Sequence, residues 1–153
     1  MTLALAPAPA PTPGALLPLV GTSDFNAELG RLLDTLDAAQ LFAVESMCLR
    51  RQSAKYTARL LTVLRRRARQ IVAEGETDSR WPVVAVTFGT WGWDNGIFWK
   101  EYEVALRHLD GTVSRVDLGY DDVSGLLADL AGTDRPDHGD RLTVDLRTGT
   151  VLQ

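Results

Sequence analysis

The sequence predicts an α+β fold in which N-terminal helices pack with an antiparallel β-meander, followed by a short helix and a C-terminal strand. Two observations carry this. Apolar residues recur at spacings of three and four from Phe25 to about Ala73, whereas beyond Arg80 they alternate with polar residues at a period of two. Helices therefore come first and strands follow in a block, which is the order of an α+β protein and not of a parallel α/β sheet.

Residues 1–22 read as a separate, disordered Ala/Pro-rich tail. They hold five of the seven prolines (Pro7, Pro9, Pro11, Pro13 and Pro18), and alternating Ala-Pro favours extended polyproline II structure over a helix. Proline also interrupts the apolar run that a secretory signal would need. A single α+β domain, residues 23–153, follows the tail, with a helical part at 23–73 and a sheet part at 81–153.

Ser23 or Asp24 is the expected cap of the first helix, whose Phe25, Leu29, Leu32, Leu33 and Leu36 form one stripe. Asp37 is placed to cap a second segment through Leu41, Phe42, Val44 and Met47. A third runs from near Ser53 to Ala73 and ends at Glu74-Gly75. Nothing between Cys48 and Ser53 forces a break, so the last two can be one helix.

Trp81 to Phe88, Phe98 to His108 and Thr112 to Leu118 read as strands, joined by Asp94-Asn95-Gly96 and Leu109-Asp110-Gly111. Three-residue loops at both places set Phe88 opposite Tyr102, Val86 opposite Val104 and Val84 opposite Leu106. They also set Val104 opposite Val116 and Tyr102 opposite Leu118. Asp121 or Asp122 then caps a short helix whose Val123, Leu126, Leu127 and Leu130 cover the apolar face. Leu142, Val144 and Leu146 alternate with polar residues as a fourth strand, and Val151-Leu152 supply a final short one.

Composition narrows the class of protein. The chain has 153 residues, 45% of them hydrophobic, and a net charge of -4, which suits one packed core and excludes a disordered chain. No apolar run is long enough to span a bilayer. The lone cysteine, Cys48, excludes an intrachain disulfide framework and a cysteine zinc cluster, and points to a reducing, cytoplasmic setting. Only two of the 16 basic residues are lysines, Lys55 and Lys100, a bias of GC-rich, bacterial coding.

The strongest charge feature lies in the third helical segment. Arg50, Arg51, Lys55, Arg59, Arg65, Arg66, Arg67 and Arg69 crowd into twenty positions, and no acidic residue stands between Glu45 and Glu74. At the helical period, Arg51, Lys55, Arg59, Arg66 and Arg69 fall within a sector of about 80 degrees, opposite Leu60, Leu64 and Ile71. Such a line of cations repels itself and matches the spaced phosphates of a nucleic acid. The bland alternative is a surface helix whose arginines pair with carboxylates from the acidic C-terminal half.

The strand register also puts Trp91, Trp93, Ile97 and Trp99 together, with Trp91 across from Trp99, on the side away from Val104. Exposed, this cluster suits base stacking or a protein partner, including a second copy of the chain; covered by the N-terminal helices, it is core. Catalytic signals are weak. His108 adjoins a turn, and the stretch from Asp134 to Asp140, with His138, reads as a solvated loop rather than a metal site. Gly89, Gly92 and Gly96 lack the ending of a phosphate loop. Ser46, Cys48 and Ser53 have no nucleophile elbow, Cys48, flanked by Met47 and Leu49, reads as a small core residue, and Glu101 and Glu103 lie near Arg115.

The sequence thus predicts a small nucleic-acid-binding protein, more a binder than an enzyme, without metal or cofactor and without a membrane. Its phosphate contacts are Arg51, Lys55, Arg59, Arg66 and Arg69. The alternative is a protein-interaction module, an inhibitor or accessory subunit, using Trp91, Trp93 and Trp99.

Overall fold

A computed structural model describes residues 21–119 and 122–153. The proposed tail falls outside the described residues up to position 20. Thr22 is the N-cap of α1 (Ser23–Asp34), its hydroxyl accepting from the Phe25 amide at 3.3 Å, so the cap lies one residue ahead of the expected Ser23. Asp37 caps α2 as expected. Its carboxylate accepts from the Gln40 amide at 2.8 Å, and the Gln40 side chain accepts from the Asp37 amide at 2.9 Å, a reciprocal capping box.

The second and third helical segments are one helix, α2 (Ala38–Glu74), of 37 residues. It ends where Gly75 takes φ +70 and the Glu76 amide donates to the Ile71 carbonyl at 3.0 Å. The described chain divides between Ser46 and Met47 into two compact units. In the first, α1 has no buried residue. The second holds the sheet and the hydrophobic core.

Strands β1 (Val83–Phe88), β4 (Val104–His108), β5 (Val113–Val116), β6 (Leu142–Asp145) and β7 (Val151–Leu152) form one antiparallel sheet in the order β5-β4-β1-β6-β7. β2 (Thr90–Trp93) and β3 (Gly96–Trp99) form a separate two-stranded ribbon. Leu60, Leu64, Ala68 and Ile71 of α2 bury with Val86, Phe88, Val104, Leu106, Leu142 and Val144 of the sheet. Val123, Leu126, Leu127 and Leu130 of α3 (Val123–Thr133) join the same cluster. One face of the sheet therefore receives both helices, and the opposite face carries small and polar residues such as Thr87 and Thr143, whose hydroxyls lie 3.1 Å apart.

The expected hairpin register needs correction. In the ribbon Trp91 pairs with Phe98 and Trp93 with Gly96, so the loop is the two residues Asp94-Asn95. In the main sheet Val86 pairs with Leu106, where Val104 was expected. The returning strand thus carries three extra residues relative to the outgoing one. They are absorbed at Lys100–Glu103, where Glu103 takes φ 53, the only positive φ of a non-glycine residue among those described. The loop at 109–111 holds as expected, with Gly111 at φ +88 and Val104 opposite Val116.

An offset of three is odd, and this decides which side chains go inside. Ile97 and Trp99 share a side with Thr90 and Gly92, continuous with Phe88 along the outgoing strand, while Val104 and Leu106 return to that same side after the irregularity. Trp99 is consequently core, at 4% exposure.

Candidate nucleic-acid interface

The five predicted phosphate contacts all lie on α2 within the second unit, and all five residues are exposed. The buried residues of the helix are Leu60, Leu64, Ala68 and Ile71, which the helical period puts on the opposite side. Arg51 to Arg69 spans 18 residues, about 27 Å along the axis at 1.5 Å per residue. That length matches roughly eight phosphates of one strand of a duplex at 3.4 Å spacing.

The cations differ in what already holds them. Arg51, Lys55 and Arg59 make no ion pair among the described residues. Arg66 approaches Asp122 at 3.4 Å, with both side chains largely exposed, a contact of small energetic weight. The Arg69 Nε donates to the Arg65 carbonyl at 3.0 Å. Arg67, outside the stripe, is the committed one: it donates twice to Glu76, at 2.7 and 2.8 Å. That hydrogen bond is the main cause holding the Glu76 carboxyl below its usual range. Of these carboxylate partners only Asp122, weakly held at Arg66, comes from the C-terminal half that the bland reading expects; Glu74 and Glu76, paired with Arg67, stand at the end of the helix itself.

Arg65 and Arg69 also flank a cleft of about 530 Å³ beside the turn between β6 and β7, with Arg147 on its other side. Arg65 was counted among the basic residues of the helix but not placed in the stripe, and Arg147 was not singled out. Arg147 sits after the apolar alternation of β6 has ended, and no periodicity reveals that its turn folds back against the helix.

Of Trp91, Trp93 and Trp99, Trp99 alone is buried, and Trp93 lines a small cleft with it and Phe98. Trp99 packs into the core, and Leu127 and Ala128 of α3 lie beside it. Trp91 and Trp93 flank Gly92 on β2 and are 47% and 67% exposed. Trp91 meets Tyr102 edge to face at 5.9 Å between ring centroids, so Tyr102, expected in the core, lies at its margin, and Lys100 Nζ sits 4.4 Å from the Tyr102 ring. Phe98, on the same side as Trp91, is approached by the Arg135 guanidinium at 5.8 Å.

His108 is buried at 1% and is fully employed in the fold. The Trp81 carbonyl accepts from its Nδ1 at 2.7 Å, and its Nε2 lies 2.8 Å from the Ser114 hydroxyl. In the 134–140 loop the Asp140 carboxylate accepts from the Asp137 amide at 2.7 Å, and the Gly139 amide donates to Thr90 at 2.9 Å. The loop is thus pinned to the ribbon, and His138 is exposed. Among the described residues no group of three metal-ligating side chains converges. Cys48 is exposed, where the sequence placed it in the core. No described helix is long and apolar enough to cross a membrane. Comparison with family models, curated proteins and solved structures found no match to this chain.

Proposed function

We propose that this protein binds nucleic acid through backbone phosphates laid along the exposed side of α2, with Arg51, Lys55, Arg59, Arg66 and Arg69 as the contacts. The observation that supports this reading is a line of exposed cations opposite the buried side of the helix, with its first three members free of ion pairs. Guanidinium groups so arranged bind phosphate oxygens in pairs and release counterions, without reading base sequence. The cytoplasm of a bacterium, rich in nucleic acid and reducing toward an exposed thiol such as Cys48, is the setting we assign to it.

Binding of single- and double-stranded oligonucleotides at two salt concentrations tests the reading. Affinity is expected to fall steeply with salt, by close to one unit of logarithmic slope per phosphate neutralised. The double charge reversal Arg59→Glu with Arg66→Glu is expected to abolish binding and flatten that slope, with circular dichroism unchanged. Full affinity in this variant removes the helix from consideration. A second reading, a protein-interaction surface, is favoured by the exposure of Trp91 and Trp93 on one side of the ribbon. Under it, Trp93→Ala leaves oligonucleotide binding intact and abolishes capture of the protein partner.

A further inference from the structure

The cleft between the C-terminal half of α2 and the β6–β7 turn combines a cationic rim with an apolar floor, where the stripe offers cations alone. Its floor is apolar, built from Val72, Pro82, Val83 and the buried Leu146, and its rim carries three guanidinium groups, Arg65, Arg69 and Arg147. No carboxylate lies within ion-pair distance of any of the three among the described residues. Three cations without a close ion pair, of which Arg147 alone feels a carboxylate, that of Asp145, stand beside an apolar floor and are complementary to an anion that carries an apolar body.

The rim is also held in place. Arg65 donates from Nε to the Leu146 carbonyl at 2.8 Å and from a terminal nitrogen to the Arg147 carbonyl at 3.4 Å, so the helix grips the turn through neutral acceptors and keeps its charge. The Asp145 carboxylate, the nearest acid along the chain, accepts from the Arg147 and Thr148 amides at 2.8 and 2.9 Å. Gly149 closes the turn at φ +78, and a Cβ there would meet Leu61 at 2.9 Å. The backbone bearing Arg147 is therefore fixed before any ligand arrives, which lowers the ordering cost of binding.

We propose that this cleft binds a small phosphate monoester with an apolar substituent, the phosphate on Arg65, Arg69 and Arg147 and the substituent on the floor. The volume, about 530 Å³, lies within the range of small-molecule sites. The site overlaps the stripe at Arg69 alone.

The probe is phenyl phosphate, titrated into the isotope-labelled full chain and followed by amide chemical shifts, with phenol and inorganic phosphate in parallel. Saturable shifts are expected at residues 65–72, 82–83 and 146–149, with phenyl phosphate binding about tenfold or more tighter than either half. Arg147→Gln, on the surface turn, is expected to weaken phenyl phosphate about tenfold and to leave oligonucleotide binding unchanged. Val72→Phe, which fills the floor, is expected to do the same. Three results overturn the proposal: no saturation at millimolar phenyl phosphate, equal affinity for inorganic phosphate, or shifts confined to residues 51–59. Loss of oligonucleotide binding on charge reversal at Arg59 and Arg66 with phenyl phosphate still bound shows both sites acting independently.

Discussion

Replacing Trp99 by alanine tests the odd register offset, which puts this tryptophan on the side of Phe88, Val104 and Leu106. An indole buries on the order of 150–250 Å², worth about 4–6 kcal/mol at 25 cal/mol per Å². The retained Cβ and partial collapse of the cavity bring the expected loss to about 3–5 kcal/mol. With 4% exposure at Trp99 and 67% at Trp93, the two substitutions are sharply unequal: Trp93→Ala is expected to cost less than about 1 kcal/mol. Urea denaturation reads the difference. At a slope of about 1–3 kcal/mol per molar, Trp99→Ala lowers the midpoint by at least about 1 M. Native fluorescence supplies a second check, since Trp81, Trp91 and Trp93 are all about half exposed or more and emission should be red-shifted. Removing Trp93 should shift the remaining emission to the blue, and removing Trp99 should shift it further to the red. A Trp99→Ala variant as stable as the parent, or a Trp93→Ala variant as damaged as Trp99→Ala, refutes the register.

Three further expectations follow from local chemistry. The Glu76 carboxyl is lowered in the folded state, chiefly by the hydrogen bond from Arg67, so its stabilising effect is present above its ordinary value of 4.5 and is lost as the pH falls through the lowered folded value. The stability difference between the parent and Glu76→Gln should accordingly close as urea titrations are taken below that pH; a constant difference rules the pair out as its source. At φ 53, Glu103→Val should cost about 1–2 kcal/mol and Glu103→Asn less than about 0.5, as judged by thermal midpoints, because a branched Cβ resists the left-handed region and asparagine accepts it. The Arg59/Arg66 charge reversal should leave the thermal midpoint within a few degrees, since both side chains are on the exposed side of α2; a large drop would mean that they serve the fold.

Much of the architecture was legible because periodicity reports burial directly. Leu60, Leu64 and Ile71 on α2, Val123, Leu126, Leu127 and Leu130 on α3 and Leu142, Val144 and Leu146 at β6 were all assigned inward from spacing alone, and all are buried, whereas Leu29 and Leu32 of α1 and Leu41, Phe42 and Met47 of α2, spaced in the same way, are exposed. The start of α2 was legible because aspartate ahead of a helically spaced apolar run is a favoured N-cap, whereas the returning bond from Gln40 was seen only in the structure. The hairpin was misread because continuous alternation was carried from Phe98 to His108 across a segment that does not alternate. Its signature was present: Ile97 and Trp99 are apolar at odd positions, Val104 and Leu106 at even ones, and a strand cannot change parity without an irregularity between them. Glutamate at the positive φ gave no help, since glycine or asparagine is what such a site usually announces. The stripe on α2 was readable from charge spacing, whereas the cleft needed the β6–β7 turn to be folded against Arg65, a contact 81 residues apart in the chain.

The irregularity at Lys100–Glu103 makes chain length, and not residue identity, the sensitive variable in that segment. Deleting one residue there turns an odd offset into an even one. The ribbon must then rotate by half a turn, moving Trp99 into water and Trp91 toward the core, or break its pairing. Deleting two residues preserves parity and asks only for a tighter bend. The segment should therefore accept gaps and insertions in twos and reject them singly, a rule of counting that tolerates wide substitution at Glu101 and Tyr102 while fixing whether an odd or an even number of residues stands between Trp99 and Val104.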